Sequence, residues 1–409
     1  MKKLLIILFC LFAAQYSFSQ SADELYKTGD SLLKAKDYKT AAQTFEKAIE
    51  KQGKDAELNW YWKAANSWAL ANDADKAMKT LEKIEKSDKI SPADVNAIEA
   101  DKDFVSLHSD KKWKSTIEEL REKANSNYNI EEIIYGRKDG VALTMLHLKP
   151  KGNSNGKTVI WVMAGSWYSS YQQAERSVRP SAMYLDKGFN VFLVILGSQP
   201  RYAIPDEIND VKRAVRYIRY NAGKFKIDPN KFGIHGGSAG GHLSLAVAMA
   251  DEKIDTTATD PIDRMSSRVQ AAAVLYPPTD FMNWGVTGGN MVNAGDLLKG
   301  AGVYGAFDYR VWNNKTRTFD FVKDTSERNK MGRESSPIYA ISSDDPPVFI
   351  IHGDADKTVP IQQSETFVAK LKEAAVPNKF IIKKGGDHNP NDMMPELKDF
   401  VDWFDKNLK

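Results

Sequence analysis

Two hydrophobic rhythms divide the chain. Between residues 22 and about 125, apolar positions recur every three to four residues in a charged, Ala-rich background, which is the period of amphipathic helices. From residue 130 the rhythm changes. Residues 133–135 and 143–148 flank Asp139-Gly140 and predict a β-hairpin. Residues 159–163 and 191–196 are apolar runs, as expected of strands buried on both faces. Over 206–221, Ile208, Val211, Ala214, Val215 and Ile218 share one face of a predicted helix. A strand over 231–235 and a helix over 241–250 follow. Further strands are predicted over 269–276, 348–352 and 379–382, with helices over 361–374 and 395–407. Strands alternating with helices predict the α/β class, a mostly parallel sheet covered on both faces.

Residues 279–336 interrupt that alternation with Gly288-Gly289, Gly300, Gly302, Gly305 and many aromatic residues. A segment of this length after a strand is either a lid over a pocket or an irregular cover. The polar stretch 125–129 has no strong period and marks the boundary. The expected division is therefore 1–19, 20–126 and 127–409, the last with a lid-like insertion at about 279–336.

Within the helical region the pattern repeats. Leu25, Gly29, Leu32, Tyr38, Ala41, Phe45 and Ala48 are followed, at an offset of 36 (61 − 25), by Tyr61, Ala65, Trp68, Ala74, Ala77, Leu81 and Ile84. Small residues fall where paired helices cross closely, and bulky ones fill the groove between them. This resembles the tetratricopeptide repeat, with Ala74 standing where that repeat usually has a tyrosine. Residues 94–125 look like a further helical pair or cap. The resemblance implies a possible protein or peptide partner, and the plainer reading is a domain that only docks on its neighbour.

Composition adds limits. The 409 residues allow two or three domains, and 57 basic against 54 acidic residues leave a formal net charge of +3. Nothing in that balance calls for nucleic acid or an anionic membrane surface. Lys2 and Lys3, the apolar run 4–14 and Ser17-Phe18-Ser19 have the pattern of an export signal. The expectation is a periplasmic or secreted protein with no permanent membrane span, since the apolar run is too short for one. The one cysteine, Cys10, lies in that segment, so the mature chain would have no disulfide and no thiol chemistry.

The candidate chemistry centres on Gly236-Gly237-Ser238-Ala239-Gly240, set between a predicted strand and a predicted helix. Gly-x-Ser-x-Gly in that setting forces a tight turn and pushes the serine out on its tip. A serine needs a base to take its proton and an acid to hold the base. Of six histidines, His108 belongs to the helical region, and His147 and His235 lie within strands. His242 should point back along its helix, and His352 should brace a turn. His388 follows the last strand in a Gly-rich loop at the carboxyl edge of the sheet, where sites in open α/β sheets form. The acid comes from the loop His352–Pro360, where Asp356 reaches further towards the site than Asp354, the better turn cap. Backbone N–H groups of Gly165, Ser166 and Ala239 are the candidates for stabilising a tetrahedral oxyanion; an ordinary strand-to-helix turn at 164–168 is the alternative. Trp167, Tyr168, Tyr171, Trp284, Tyr304, Phe307, Tyr309 and Trp312 surround the expected pocket or pack its lid.

From about residue 130 onward the chain resembles α/β-hydrolase esterases of the hormone-sensitive-lipase-like and feruloyl/acetylxylan esterase group. The matching stretches include Val159-Ile160-Trp161-Val162, Asp210–Arg219, Ile227-Asp228-Pro229, Gly236–His242, Pro346-Pro347-Val348 and His352–Asp356. The resemblance implies an α/β-hydrolase fold, with Ser238 as nucleophile, Asp356 as acid and His388 as base, acting on short-chain or carbohydrate-linked acyl esters without a cofactor or metal. One departure stands out. Where the family usually spells His-Gly-Gly-Gly-Trp, this chain has Met163-Ala164-Gly165-Ser166-Trp167, so the histidine that braces the oxyanion loop is missing. The rival readings are a prolyl-oligopeptidase-like peptidase and a partner-binding protein with an impaired hydrolase domain.

Overall fold

The computed structural model describes residues 20–409 except 87, 88 and 253. The export-signal expectation and Cys10 lie outside the described residues. Two compact units form, divided between Asn127 and Tyr128.

The N-terminal unit is helical: α1 (Ala22–Lys34), α2 (Tyr38–Gln52), α3 (Leu58–Leu70), α4 (Ala74–Glu85), α5 (Pro92–Ala100) and α6 (Lys111–Tyr128). The starts of α3 and α4 follow those of α1 and α2 by 36 residues (58 − 22 and 74 − 38). Asp37 and Asp73, also 36 apart, cap α2 and α4 by accepting from Thr40 N–H and Lys76 N–H. Gly29 is small for a packing reason, since a Cβ there would stand 2.8 Å from the Phe45 ring.

The C-terminal unit is built on an eight-stranded sheet. Its strands are β1 (Ile130–Lys138), β2 (Val141–Leu148), β3 (Thr158–Met163), β4 (Asn190–Ile195), β5 (Phe232–Gly237), β6 (Ala271–Leu275), β9 (Val348–Gly353) and β10 (Asn378–Lys383). Their order is β1-β2-β4-β3-β5-β6-β9-β10. Pairing is antiparallel for β1 with β2 and β2 with β4, and parallel elsewhere. One face of the sheet is covered by α9 (Ile204–Tyr220), α11 (Ala239–Ala248) and α14 (Gln362–Glu373), and the other by α7 (Tyr171–Val178), α8 (Ala182–Leu185) and α15 (Pro390–Asn407). Helix α10 (Ala222–Phe225) follows α9 directly. The predicted hairpin is present, and Asp139 and Gly140 both take positive φ (50° and 78°) to reverse the chain.

Boundaries shift where side chains cap ends. Helix α9 begins at Ile204 rather than 206, because the Asp206 carboxylate reaches back to Ala203 N–H. Helix α15 begins at Pro390 rather than Pro395, with the Asn389 side chain accepting from Asn391 N–H. The insertion contains α12 (Gly295–Gly300), a hairpin of β7 (Arg310–Asn313) and β8 (Thr318–Phe321), and α13 (Thr325–Glu334). Its inner side packs Phe281, Val292, Leu298 and Phe307 into the same core as the sheet.

Candidate active site

Strand β5 lies between β3 and β6 in the middle of the sheet, and its carboxyl end turns abruptly into α11. Ser238 occupies that turn at φ +53° and ψ −125°, a conformation that costs a non-glycine residue about 1–3 kcal/mol. Surrounding bonds hold it there. Ser238 N–H donates to Leu275 O at 3.0 Å, and His242 N–H donates to Ser238 O at 2.9 Å. Two glycines make room. A Cβ on Gly236 would sit 2.4 Å from Gly240 backbone, and one on Gly240 would sit 2.5 Å from Val162 O.

Two loops at the same edge bring the other two groups. Asp356 follows β9, and its side chain is fully buried. Its Oδ1 accepts from the N–H groups of Thr358 and Val359, each at 2.8 Å, and its Oδ2 lies 2.7 Å from His388 Nδ1. His388 Nε2 lies 2.9 Å from Ser238 Oγ. Burial pushes the Asp356 carboxyl up, but hydrogen bonds from His352, His388 and Val359 N–H outweigh it and hold the group well below the usual carboxylate range. An ionised carboxylate only accepts, so the neutral imidazole carries its proton on Nδ1 and leaves the Nε2 lone pair facing the serine hydroxyl. Ser238, His388 and Asp356 are thus brought together. Asp354 instead accepts from Gly385 N–H at 2.6 Å, tying the two loops to each other. His352 Nε2 lies 2.9 Å from Val359 O and 3.3 Å from Asp356 Oδ2, and its Nδ1 lies 2.7 Å from Ser364 Oγ, so the ring braces the acid loop.

The candidate oxyanion loop departs from expectation at one residue. Gly165 N–H donates to Tyr168 O at 3.0 Å, and Tyr168 N–H returns a bond to Gly165 O at 2.9 Å. Ser166 and Trp167, both at positive φ (52° and 54°), form the two-residue turn between them. The Gly165 donor is therefore committed, and a carbonyl oxygen could not recruit it without breaking the turn. The N–H groups of Ser166 and Ala239 have no acceptor among the described residues, and Ser166 lines the same cleft as Ser238 and His388. The loop is pinned to the elbow through Gly240 N–H, which donates to Ala164 O at 3.0 Å.

Three supports escaped the sequence reading. The Trp167 indole N–H donates to His242 Nδ1 at 3.1 Å, while His242 Nε2 lies 2.7 Å from Ser335 O. A donor-only indole and an acceptor-only carbonyl assign the tautomer, with the proton on Nε2. Burial lowers the His242 pKa to about 4, so the ring is neutral near pH 7. Gln199 Nε2 donates to Ser166 O at 2.8 Å and to Gly302 O at 2.9 Å, joining the oxyanion loop to the insertion. Tyr276, at φ +34°, lays its ring 4.3 Å from the His388 imidazole. His242 was legible as a residue one turn beyond the serine; its partners lie 75 and 93 positions away in the chain, and no local pattern points to them.

The cleft over Ser238 has a volume of about 420 Å³. None of the eight aromatic residues expected around it lines it: Trp167, Phe307 and Tyr309 are buried in the packing of the insertion, and Trp312 is exposed on the β7–β8 hairpin. The aromatic walls are Trp161 and Tyr276 instead.

Residues 145–371 match the family described as BD-FAE. A probable carboxylic ester hydrolase, LipM, of Mycobacterium tuberculosis is 28% identical over 215 residues, which is 52% of this chain and 44% of that protein. Esterase LipC of the same organism is 27% identical over 248 residues, 59% of this chain and 54% of its own length. The chain spans about half the length of these curated relatives. Among solved structures, a truncated carbohydrate esterase from gut microbiota matches with a TM-score of 0.54 and 26% identity, over 68% of this chain and 96% of that one. An acetyl ester-xyloside bifunctional hydrolase from Caldicellulosiruptor lactoaceticus shares the fold, with a TM-score of 0.53 and 23% identity over 68% and 96%. The C-terminal unit has the α/β-hydrolase fold.

Proposed function

Because the chain belongs to the BD-FAE family, we propose that it is a serine carboxylesterase that cleaves short-chain or carbohydrate-linked acyl esters. The observation that carries this reading is the continuous relay from Ser238 Oγ to His388 Nε2 at 2.9 Å and from His388 Nδ1 to Asp356 at 2.7 Å. Ser238 Oγ attacks the ester carbonyl as its proton passes to His388 Nε2. The carbonyl oxygen becomes an oxyanion, held by the N–H groups of Ser166 and Ala239. Asp356 keeps the imidazole oriented and stabilises its cation. His388 then returns the proton to the departing alcohol, leaving an acyl group on Ser238. Water, activated by the same imidazole, releases the acid and restores the serine.

Support for carbohydrate-linked substrates comes from a solved relative whose name is a carbohydrate esterase, and support for ester over amide chemistry from curated relatives named as ester hydrolases. Ser238→Ala should lower p-nitrophenyl acetate hydrolysis by roughly 10⁴-fold or more. Turnover by that variant near the wild-type rate removes the serine from the reaction, and preference for a proline-containing amide over the ester replaces the esterase reading with a peptidase.

A further inference from the structure

The cleft over Ser238 is walled on one side by a single face of α7: Gln173, Arg176 and Ser177, spaced three and four residues apart. This helix rests against the oxyanion loop, since a Cβ on Gly165 would stand 3.4 Å from Gln173 Nε2. Arg176 lies one position along that face, about 4.5 Å further down the helix axis. It is exposed, and it makes no hydrogen bond or ion pair with any other described residue. No aspartate or glutamate lines the cleft. Glu132 and Glu175 lie against Tyr171 at the start of α7, and the triad carboxylate of Asp356 is buried behind His388. Asp392 acts on the Tyr276 wall from α15, but among its lining residues the cleft carries one permanent cation and no carboxylate. An unpaired guanidinium is a planar, permanently charged fork matched to a carboxylate.

We infer that Arg176 is a specificity residue that selects esters bearing a carboxylate close to the scissile bond. This rests on the serine esterase reading and adds the substrate's charge to it. The carboxylate can belong to the acyl half, as in a dicarboxylic acid monoester, or to the alcohol half, as in an acylated uronic acid. The two sources present the same group to Arg176, and matched substrate pairs separate them.

The test compares 4-nitrophenyl hydrogen succinate with 4-nitrophenyl butyrate, and an O-acetylated methyl galacturonoside with the corresponding galactoside. The ratio of kcat/KM within each pair is read in each protein, so any overall change in activity cancels. Wild type should favour the anionic member of one pair, and Arg176→Gln should reduce that ratio by about ten- to a hundredfold. Arg176→Lys should recover part of it, because the charge remains and the fork does not. Equal or faster hydrolysis of the neutral member in both pairs overturns the inference, as does a preference that survives in Arg176→Gln. Failure of the esterase reading shows separately, as no turnover of 4-nitrophenyl acetate. In that event, titration of Ser238→Ala protein with succinate and with galacturonate reads the anion site directly. Binding that weakens at least tenfold on adding Arg176→Gln supports the inference, and undetectable or unchanged binding of both overturns it.

Discussion

Ser238 and Arg317 share an unusual backbone angle, with φ of +53° and +54°, yet their settings differ completely. Ser238 sits in an elbow where the Gly236 and Gly240 positions leave 2.4–2.5 Å to neighbouring backbone, less than any side chain needs. Arg317 closes the β7–β8 hairpin, whose strand residues are all exposed except the half-buried Asn313. A positive φ is therefore no signature of function by itself. In the elbow, the sheet, the oxyanion loop and α11 hold one side chain at one point. In the hairpin the same angle only reverses the chain, and Trp312 and Phe319 contact each other with centroids 5.1 Å apart while standing in solvent.

That contrast breaks most sharply at Gly240. Its Cβ would meet Val162 O at 2.5 Å and Ala164 O at 3.3 Å, and neither backbone group can give way without moving β3 or the oxyanion loop. Gly240→Ala should destabilise the C-terminal unit by about 3 kcal/mol and remove most ester hydrolysis. Denaturant unfolding and a rate assay on the folded fraction check both parts. An active, stable Gly240→Ala protein would mean that the elbow tolerates the same freedom as the hairpin.

Trp167→Phe tests the brace in place of the missing loop histidine. It keeps the ring but leaves His242 Nδ1 buried without its donor, at a cost of about 1–3 kcal/mol. The expected readout is a kcat lowered roughly ten- to a hundredfold with KM little changed, since the turn carrying Ser166 N–H loses its anchor rather than a substrate contact.

Acid should loosen the elbow before the hairpin. His235 on β5 and His242 on α11 both have pKa values lowered by burial to about 4, against about 6.5 for an unfolded histidine. Between those values the unfolded chain binds more protons than the folded one. Stability present above pH 6.5 is therefore lost as pH falls towards 4, by up to about 1.4 kcal/mol per pH unit for each histidine. Urea midpoints between pH 7 and 4.5 measure this slope, and His235→Gln should make it shallower.

The smallest effect belongs to the hairpin. Trp312→Ala should change stability by no more than about 0.5 kcal/mol and leave hydrolysis of simple esters unaltered. A loss of rate there would place the hairpin in the path of the substrate after all.

The two rhythms of the sequence made the main architecture legible. Buried strands are apolar on both faces, and a helix of 17 residues such as α9 repeats its face often enough to be recognised. Ser238, Asp356 and His388 could be picked as a candidate set because each lies in a short loop whose composition reports its geometry, and the structure brings the three side chains together. Helix α7 was missed, having only eight residues and two buried apolar positions, Ala174 and Val178. Asp356 was preferred to Asp354 for its reach along the loop; what the sequence did not show is the turn at 356–359, where two backbone donors fix its carboxylate.

What the chain determined alone was local: the period of each element, the glycines that only a close approach explains, and the tight turn that carries Ser238. What tertiary structure decided was which backbone donors stay free and which side chains support them. Gly165 and Ser166 are neighbours of equal promise on paper. A cross-turn bond to Tyr168 consumes the first and spares the second, and Gln199, His242 and Arg176 gained their parts only when distant segments met. Hydrogen-bond capacity is written in residue types, but its use depends on what else comes within 3 Å.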